Sequence, residues 1–330
     1  MSDTILALVG PTATGKTALA ITLADHLPVE VVSADSRMVY RWMDIGTAKP
    51  SRAEQQRAPH HLIDVVDPDE PYSVALYQRQ ALAAIGRIQA RRRLPVLVGG
   101  TGLYVRAVCD GLQIPAIPPD PGYRAALEER AAREGWAALQ AELARVDPES
   151  ASRIDPRNVR RVIRALEVYH ATGVPFSAWQ RQTPPPFRTI FIGLNLARDD
   201  LYRRINERVD QQVRAGLVDE VRSLLDRGYD VGLTSMSGFG YREMAQYLLG
   251  ELDLPTAIER YKRATRRYAK RQLTWFRPDR RIHWLDAASA TPEDVIHILE
   301  EARSSAPADD GRPSATAPVA SPAPLEPGSR

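Results

Sequence analysis

Residues 5–17 read Ile-Leu-Ala-Leu-Val-Gly-Pro-Thr-Ala-Thr-Gly-Lys-Thr: five apolar residues that run straight into Gly-x-x-x-x-Gly-Lys-Thr. The apolar run predicts a strand and the residues after Lys16 predict a helix, so the phosphate-loop pattern is satisfied both in sequence and in context. Glycines let the backbone curl until its N–H groups face phosphate oxygens, and the following helix N-terminus adds a favourable dipole. Gly10, Pro11, Thr12, Ala13, Thr14, Gly15, Lys16 and Thr17 are therefore expected to cradle a diphosphate or nucleotide. Lys16 supplies a point charge, and the Thr17 hydroxyl is placed to ligate a phosphate-bound Mg²⁺. The loop identifies a ligand and not a reaction: ATPases, small-molecule kinases and diphosphate-releasing transferases all remain open at this point.

Working outward from that loop, β-rich runs at 5–9, 29–33 and 95–98 alternate with helical patterns, among them 77–91 with Ala81, Leu82, Ile85 and Ile88 at helical spacing. Alternation of this kind predicts a parallel α/β sheet, here a P-loop NTPase-like core. From 112 to 186 the chain becomes Ala-, Arg- and Glu-rich with proline-marked borders, which predicts an all-helical insertion domain. A strand at 188–196 returns to the sheet, followed by helices at 199–216, 218–227, 240–249 and 254–276, a strand at 282–285 and a helix at 292–303. The expected organisation is a core of residues 1–111 and 187–303, an insertion of 112–186, and a disordered Pro/Ala-rich tail of 304–330.

The 330 residues are 44% hydrophobic and 26% charged, enough for two or three domains and a sizeable core. A single cysteine, Cys109, excludes an internal disulfide or a cysteine-built zinc site; it reads as a small packed residue. The apolar run at 5–9 is too short for a secretory core, and nothing approaches a membrane span, so a cytoplasmic, membrane-free monomer is expected. The net charge of +3 conceals strong polarity. Residues 260–281 hold ten Lys/Arg against one acid, Asp279, a local +9 against −6 elsewhere. Interleaved Tyr261, Tyr268, Trp275 and Phe276 are expected to pack inward while the basic residues track phosphates. The alternative is a solvated charged helix.

In open α/β sheets ligands bind beyond the carboxyl ends of the strands. Asp35 follows the 29–33 run, and Thr101 follows the 95–98 run across Gly99-Gly100. A carboxylate there can take a proton and a hydroxyl can donate to developing phosphate charge, whereas helix capping and turn formation explain the same residue types equally well. His60-His61 reads as a loop pair that bonds locally.

Six further stretches, VSADSRMVYRWMDIGTAKP (32–50), HHLIDVVDP (60–68), LVGGTGLYVRAV (97–108), RALEVYHATGVPFS (164–177), GYREM (240–244) and TRRYAKRQLTWFRPD (265–279), together resemble the tRNA dimethylallyltransferases, bacterial type, from about residue 5 to 285. The resemblance implies transfer of a dimethylallyl group from dimethylallyl diphosphate to the exocyclic amine of the adenosine just 3′ of the anticodon, with tRNA and Mg²⁺ as partner and cofactor. It implies that Asp35 is the general base, that Thr101 assists the departing diphosphate, and that Arg208, one turn after Arg204, binds it. It further implies tRNA contacts from Asp35, Ser36, Arg37, Met38, Thr101, Arg124, Arg160, Arg161 and Arg164. Two departures stand out: Arg160 replaces the family's usual glutamine, and Trp42 stands where the family commonly has glycine. A prenyltransferase acting on free adenine nucleotide and a P-loop small-molecule kinase are the competing readings. Charge spread over two segments favours a polymeric acceptor.

Overall fold

The computed structural model describes residues 4–115, 117–180 and 182–304. The tail from 305 onward lies outside the described residues, and Ser304, expected to open it, instead closes the last helix.

Six parallel strands form one sheet in the order β3-β2-β4-β1-β5-β6. They are β1 (Thr4–Val9), β2 (Val29–Ser33), β3 (His60–His61), β4 (Leu94–Val98), β5 (Arg188–Asn195) and β6 (Ile282–Asp286). Strands covered on both faces read as continuous apolar runs rather than alternating ones. TILALV and LPVLV do so, and they pair in register as Leu6↔Val96, Ala7↔Leu97 and Leu8↔Val98.

On one face lie α3 (Val74–Ala90) and α4 (Gly102–Cys109), with Tyr77, Ile85, Tyr104 and Phe276 among the core residues. On the other lie α1 (Lys16–Leu23) and α13 (Pro292–Ser304), contributing Leu19, Leu23, Val295 and Leu299. Cys109 packs in the first of these layers, and burial pushes its thiol up to about 12, well above reactive range.

A third apolar cluster joins α9 (Arg198–Arg214), α10 (Leu217–Asp226), α11 (Tyr241–Leu248) and α12 (Leu254–Phe276) to the loop carrying Val39, Tyr40 and Met43. The helical segment comprises α5 (Pro121–Glu134), α6 (Trp136–Val146), α7 (Pro148–Arg153) and α8 (Val159–Thr172), packed around Leu127, Leu139, Leu143, Val162 and Leu166. Its flanks are not helical: Leu112 bridges Gln182 antiparallel, and Thr183 N–H donates to Gly111 O at 2.9 Å.

The structure corrects the sequence reading in several places. His60-His61 is an edge strand paired with Val31 and Val32, not a loop; two residues carry no periodicity to detect. His60 Nδ1 bonds Ala58 O, and His61 Nε2 bonds the buried Glu30 at 2.7 Å. Sequence patterning also missed α2 (Arg52–Arg57), which a Ser51/Glu54 capping box starts, and α4, which begins directly after the Gly-Gly turn.

Candidate functional site

Three strand ends meet above the middle of the sheet. The Gly10–Thr17 loop leaves β1, Asp35 follows β2, and Gly99-Gly100-Thr101 leaves β4, which is hydrogen-bonded to both of the others. Together with Arg208 of α9 and Tyr268 and Gln272 of α12, residues of the phosphate loop, Asp35 and Gly99-Gly100 line a cavity of about 560 Å³. Thr17, the first-turn hydroxyl of α1, and Met38 also line it.

The loop is braced from within. Gly15 takes φ 87° as it enters α1, a left-handed conformation with no neighbour within 4 Å, so backbone freedom is what the glycine provides there. Thr14 Oγ1 and Lys16 Nζ both donate to Pro11 O, at 2.9 and 2.6 Å. Burial first and the like charge of Arg208 second lower the Lys16 ammonium to about 7, with Asp35 partly opposing both. A cationic pocket that holds its lysine this loosely is one built to be completed by an anion.

Asp35 and Thr101 come together as well. Ser36 N–H donates to Thr101 Oγ1 at 3.1 Å, Thr101 Oγ1 lies 3.4 Å from Ser36 Oγ, and Asp35 Oδ1 accepts the Arg37 N–H at 2.8 Å. The Tyr268 phenol sits against this pair. Burial pushes it up to about 12, Asp35 adds to that, and its hydrogen bond with Thr101 opposes it.

A second cavity of about 210 Å³ opens beside Asp35 and Arg208, lined by Phe239, Tyr241, Tyr261 and Tyr268. Its floor is the 44–47 loop, held by a network the sequence did not announce. The Glu220 carboxylate accepts the N–H groups of Asp44, Ile45 and Gly46 and the Tyr241 hydroxyl. Gln212 donates to Ile45 O and accepts from the Tyr261 hydroxyl. Lys49 lies buried, bonding Tyr40 O, Asp44 and Asp64.

The residues expected to meet RNA divide into held and free. Arg37 lines the second cavity and bonds Thr234 O, Ser235 O and Ser237 Oγ, so its side chain fastens a loop. Arg124 donates twice to Glu167, at 2.7 and 2.8 Å, and Arg164 bonds the same carboxylate and Ile117 O. Burial alone pushes the Glu167 carboxyl up, but bonds from Arg124, Arg164 and the Asp120 N–H outweigh it and hold it at about 2. Arg160 and Arg161, in the first turn of α8, are exposed.

Along α12, Lys262 pairs with Asp210 and Arg266 with Asn206, while Arg260, Arg263, Arg267, Lys270, Arg271 and Arg277 remain exposed. Tyr261 and Phe276 are buried as expected. Trp275 is not: it is 46% exposed and lies over Gly102, because helical spacing puts 261, 268, 272 and 276 on one face and 275 beside it. Trp42 has φ 66°, a left-handed conformation that glycine adopts without strain, and Arg227 stacks 4.3 Å from its ring centre.

Comparison with known proteins gives one answer from three directions. Residues 38–279 match the family model described as IPP transferase, and residues 3–64 match one described as isopentenyl transferase. A tRNA dimethylallyltransferase of Roseiflexus castenholzii is 57% identical over 298 residues, covering 90% of this chain and 95% of the relative. Among solved structures, the full-length tRNA isopentenylpyrophosphate transferase of Bacillus halodurans superposes with a TM-score of 0.68 at 45% identity, covering 92% of this chain and 96% of that one. A eukaryotic dimethylallyltransferase solved acting on tRNA superposes at 0.79 with 28% identity, covering 93% and 81%.

Proposed function

The chain belongs to the IPP transferase family, and from that membership we propose that it transfers the dimethylallyl group of dimethylallyl diphosphate to the exocyclic N6 amine of the adenosine immediately 3′ of the anticodon in tRNA, releasing diphosphate. Dimethylallyl transfer onto tRNA is the activity of the relatives it matches over nine-tenths of its length. The observation that carries the finer reading is that Asp35 faces the same cavity as Lys16 and Arg208 and meets Thr101, at the adjacent strand end, through the N–H of Ser36.

The chemistry follows from those positions. The amine of adenine is conjugated and weakly nucleophilic, so its proton must leave as the N–C bond forms; the Asp35 carboxylate takes it. The bond from the allylic carbon to the diphosphate oxygen breaks, and the departing charge meets the loop amides, Lys16, Arg208 and the Thr101 hydroxyl. Thr17 and the diphosphate's own oxygens would hold Mg²⁺, which supplies further charge neutralisation. A hydroxyl plus substrate phosphates, with no dedicated carboxylate cage among the described residues, is a donor set that suits this ion. A base within a folded anticodon arm has to leave its stack to reach Asp35. In this reading the exposed arginines of α12 and of the start of α8 hold the arm while it does; their exposure supports that role. No described helix is long and apolar enough to cross a membrane, and we place the reaction in the cytoplasm with the tRNA pool.

The test is incubation of the purified chain with dimethylallyl diphosphate, Mg²⁺ and unmodified tRNA, with the product nucleosides read by mass spectrometry and the site mapped by nuclease digestion. A prenylated adenosine next to the anticodon is expected. Prenylation of free adenine nucleotide in place of tRNA, or ATP turnover on a small molecule with no prenyl product, would overturn the reading.

A further inference from the structure

We propose that Gln272 is a positioning residue: its side-chain amide ties the phosphate loop to the Gly99-Gly100 turn and so sets the spacing between the leaving-group cradle and Thr101. The inference rests on the reading of that loop as the diphosphate cradle.

Gln272 sits on the inward line of α12 that also carries Tyr261, Tyr268 and Phe276. Its side chain is buried, and both ends of the amide are engaged. Oε1 accepts the Thr12 N–H at 2.8 Å, and Nε2 donates to Gly100 O at 3.0 Å. A backbone N–H can only donate and a carbonyl can only accept, so the orientation of the amide is fixed by its partners. One side chain thus bonds two loops that leave different strands, and it reaches them from a third part of the chain.

A second observation points the same way. A Cβ built on Gly100 would lie 1.9 Å from Gln272 Nε2, so the glycine is the space into which the amide fits. The Gly-Gly turn and the glutamine are complementary parts of one joint.

Among side chains of this length, the amide supplies the acceptor and the donor together. A glutamate keeps an acceptor for Thr12 but loses the donor; leucine fills the volume with neither; lysine and arginine have no acceptor. Without the amide, a buried N–H in the phosphate loop and a buried carbonyl one residue before Thr101 lose their partners, and both loops are free to move to recover them. A displacement of about 1 Å at such a place costs on the order of a hundredfold in rate. The amide is carried by the helix whose outer side holds the exposed basic residues, so the surface that meets RNA and the joint that sets the reacting groups belong to one rigid element.

The test combines a near-isosteric variant with a double-mutant cycle. Gln272→Leu should lower the thermal midpoint by a few degrees yet stay folded at the assay temperature and keep its tRNA KM within about twofold, while kcat falls about 10- to 100-fold. Gly100→Ala should lower kcat strongly in the wild-type background, where the new methyl meets the amide, and add little in a Gln272→Ala background, where that obstacle is gone. Near-normal kcat in Gln272→Leu, or an equal cost of Gly100→Ala in both backgrounds, would overturn the proposal. The same cycle read as dimethylallyl diphosphate binding by calorimetry needs no turnover. It therefore judges Gln272 even if the wild-type chain prenylates no tRNA, an outcome that counts against the proposed function alone.

Discussion

Raising the pH from 7 to 9 should weaken binding of dimethylallyl diphosphate to the free enzyme about fiftyfold. The ammonium of Lys16 is held at about 7 by burial and by Arg208. A bound diphosphate reverses that balance by supplying the missing counter-charge, so the amine is more basic in the complex than in the free protein. The sign is that of a group whose pKa is raised on binding: the full affinity is present below 7 and is lost as pH rises above it. Once pH exceeds the free value, each further unit costs about tenfold, and the change from 7 to 9 amounts to about 2 kcal/mol. The terminal phosphate has released its last proton near pH 6, so the ligand's own charge is constant over the window. Calorimetric titration at constant ionic strength and Mg²⁺, repeated at pH 8 in two buffers of different ionisation enthalpy, should show uptake of about 0.9 proton per ligand bound. Lys16→Arg should bind with no dependence on pH across this range, because a guanidinium does not titrate there. Equal affinities at pH 7 and 9 for the wild type, with no proton uptake, would refute the argument and return Lys16 to a permanently charged role.

Asp35→Asn and Thr101→Ala should reduce turnover by about 10²- to 10⁴-fold and by a smaller factor respectively, each with a smaller loss of tRNA affinity by filter binding; a weakened tRNA complex at normal turnover would contradict both roles. Glu167→Gln leaves Arg124 and Arg164 without their shared anion and should destabilise the helical segment by about 3 kcal/mol in urea unfolding at neutral pH. Because the Glu167 carboxyl is held at about 2, below its ordinary 4.5, that stabilisation is present above the ordinary value and disappears as pH falls through 2. A wild-type stability that ignores pH between 5 and 2 would speak against it. Arg160→Ala and Arg161→Ala should each weaken tRNA binding and flatten its dependence on salt by about one counterion. Arg37→Ala should leave the salt slope as it was, since that side chain is already spent on the 234–237 loop.

What the sequence disclosed was whatever is written locally. The phosphate loop is eight consecutive residues flanked by two elements, and the strands carry continuous apolar runs, so sheet, loop and strand-end residues follow from short windows. Arg208 and the arginines expected to meet RNA came through resemblance, because spacing alone does not distinguish a ligand-binding arginine from a surface one. Gln272 was overlooked amid ten cations; its partners are 260 and 172 residues away, and only the folded chain brings them together. Glu220, Gln212 and Lys49 escaped for the same reason. Arg37, Arg124 and Arg164 show the converse: a basic residue in a family motif looks available until its carboxylate or carbonyl partners appear in space.

The two stalks of the helical segment bond to each other, Leu112 against Gln182 and Gly111 against Thr183. A segment whose entry and exit are adjacent is a graft: its removal leaves a gap that a tight turn can close, at little cost in chain entropy. Every group proposed to handle the prenyl donor lies on the host side of that seam, whereas Arg160 and Arg161 travel with the graft. The architecture therefore allows the RNA contacts proposed for the graft to be exchanged, lengthened or retuned to a differently shaped acceptor without disturbing the chemistry on the host side.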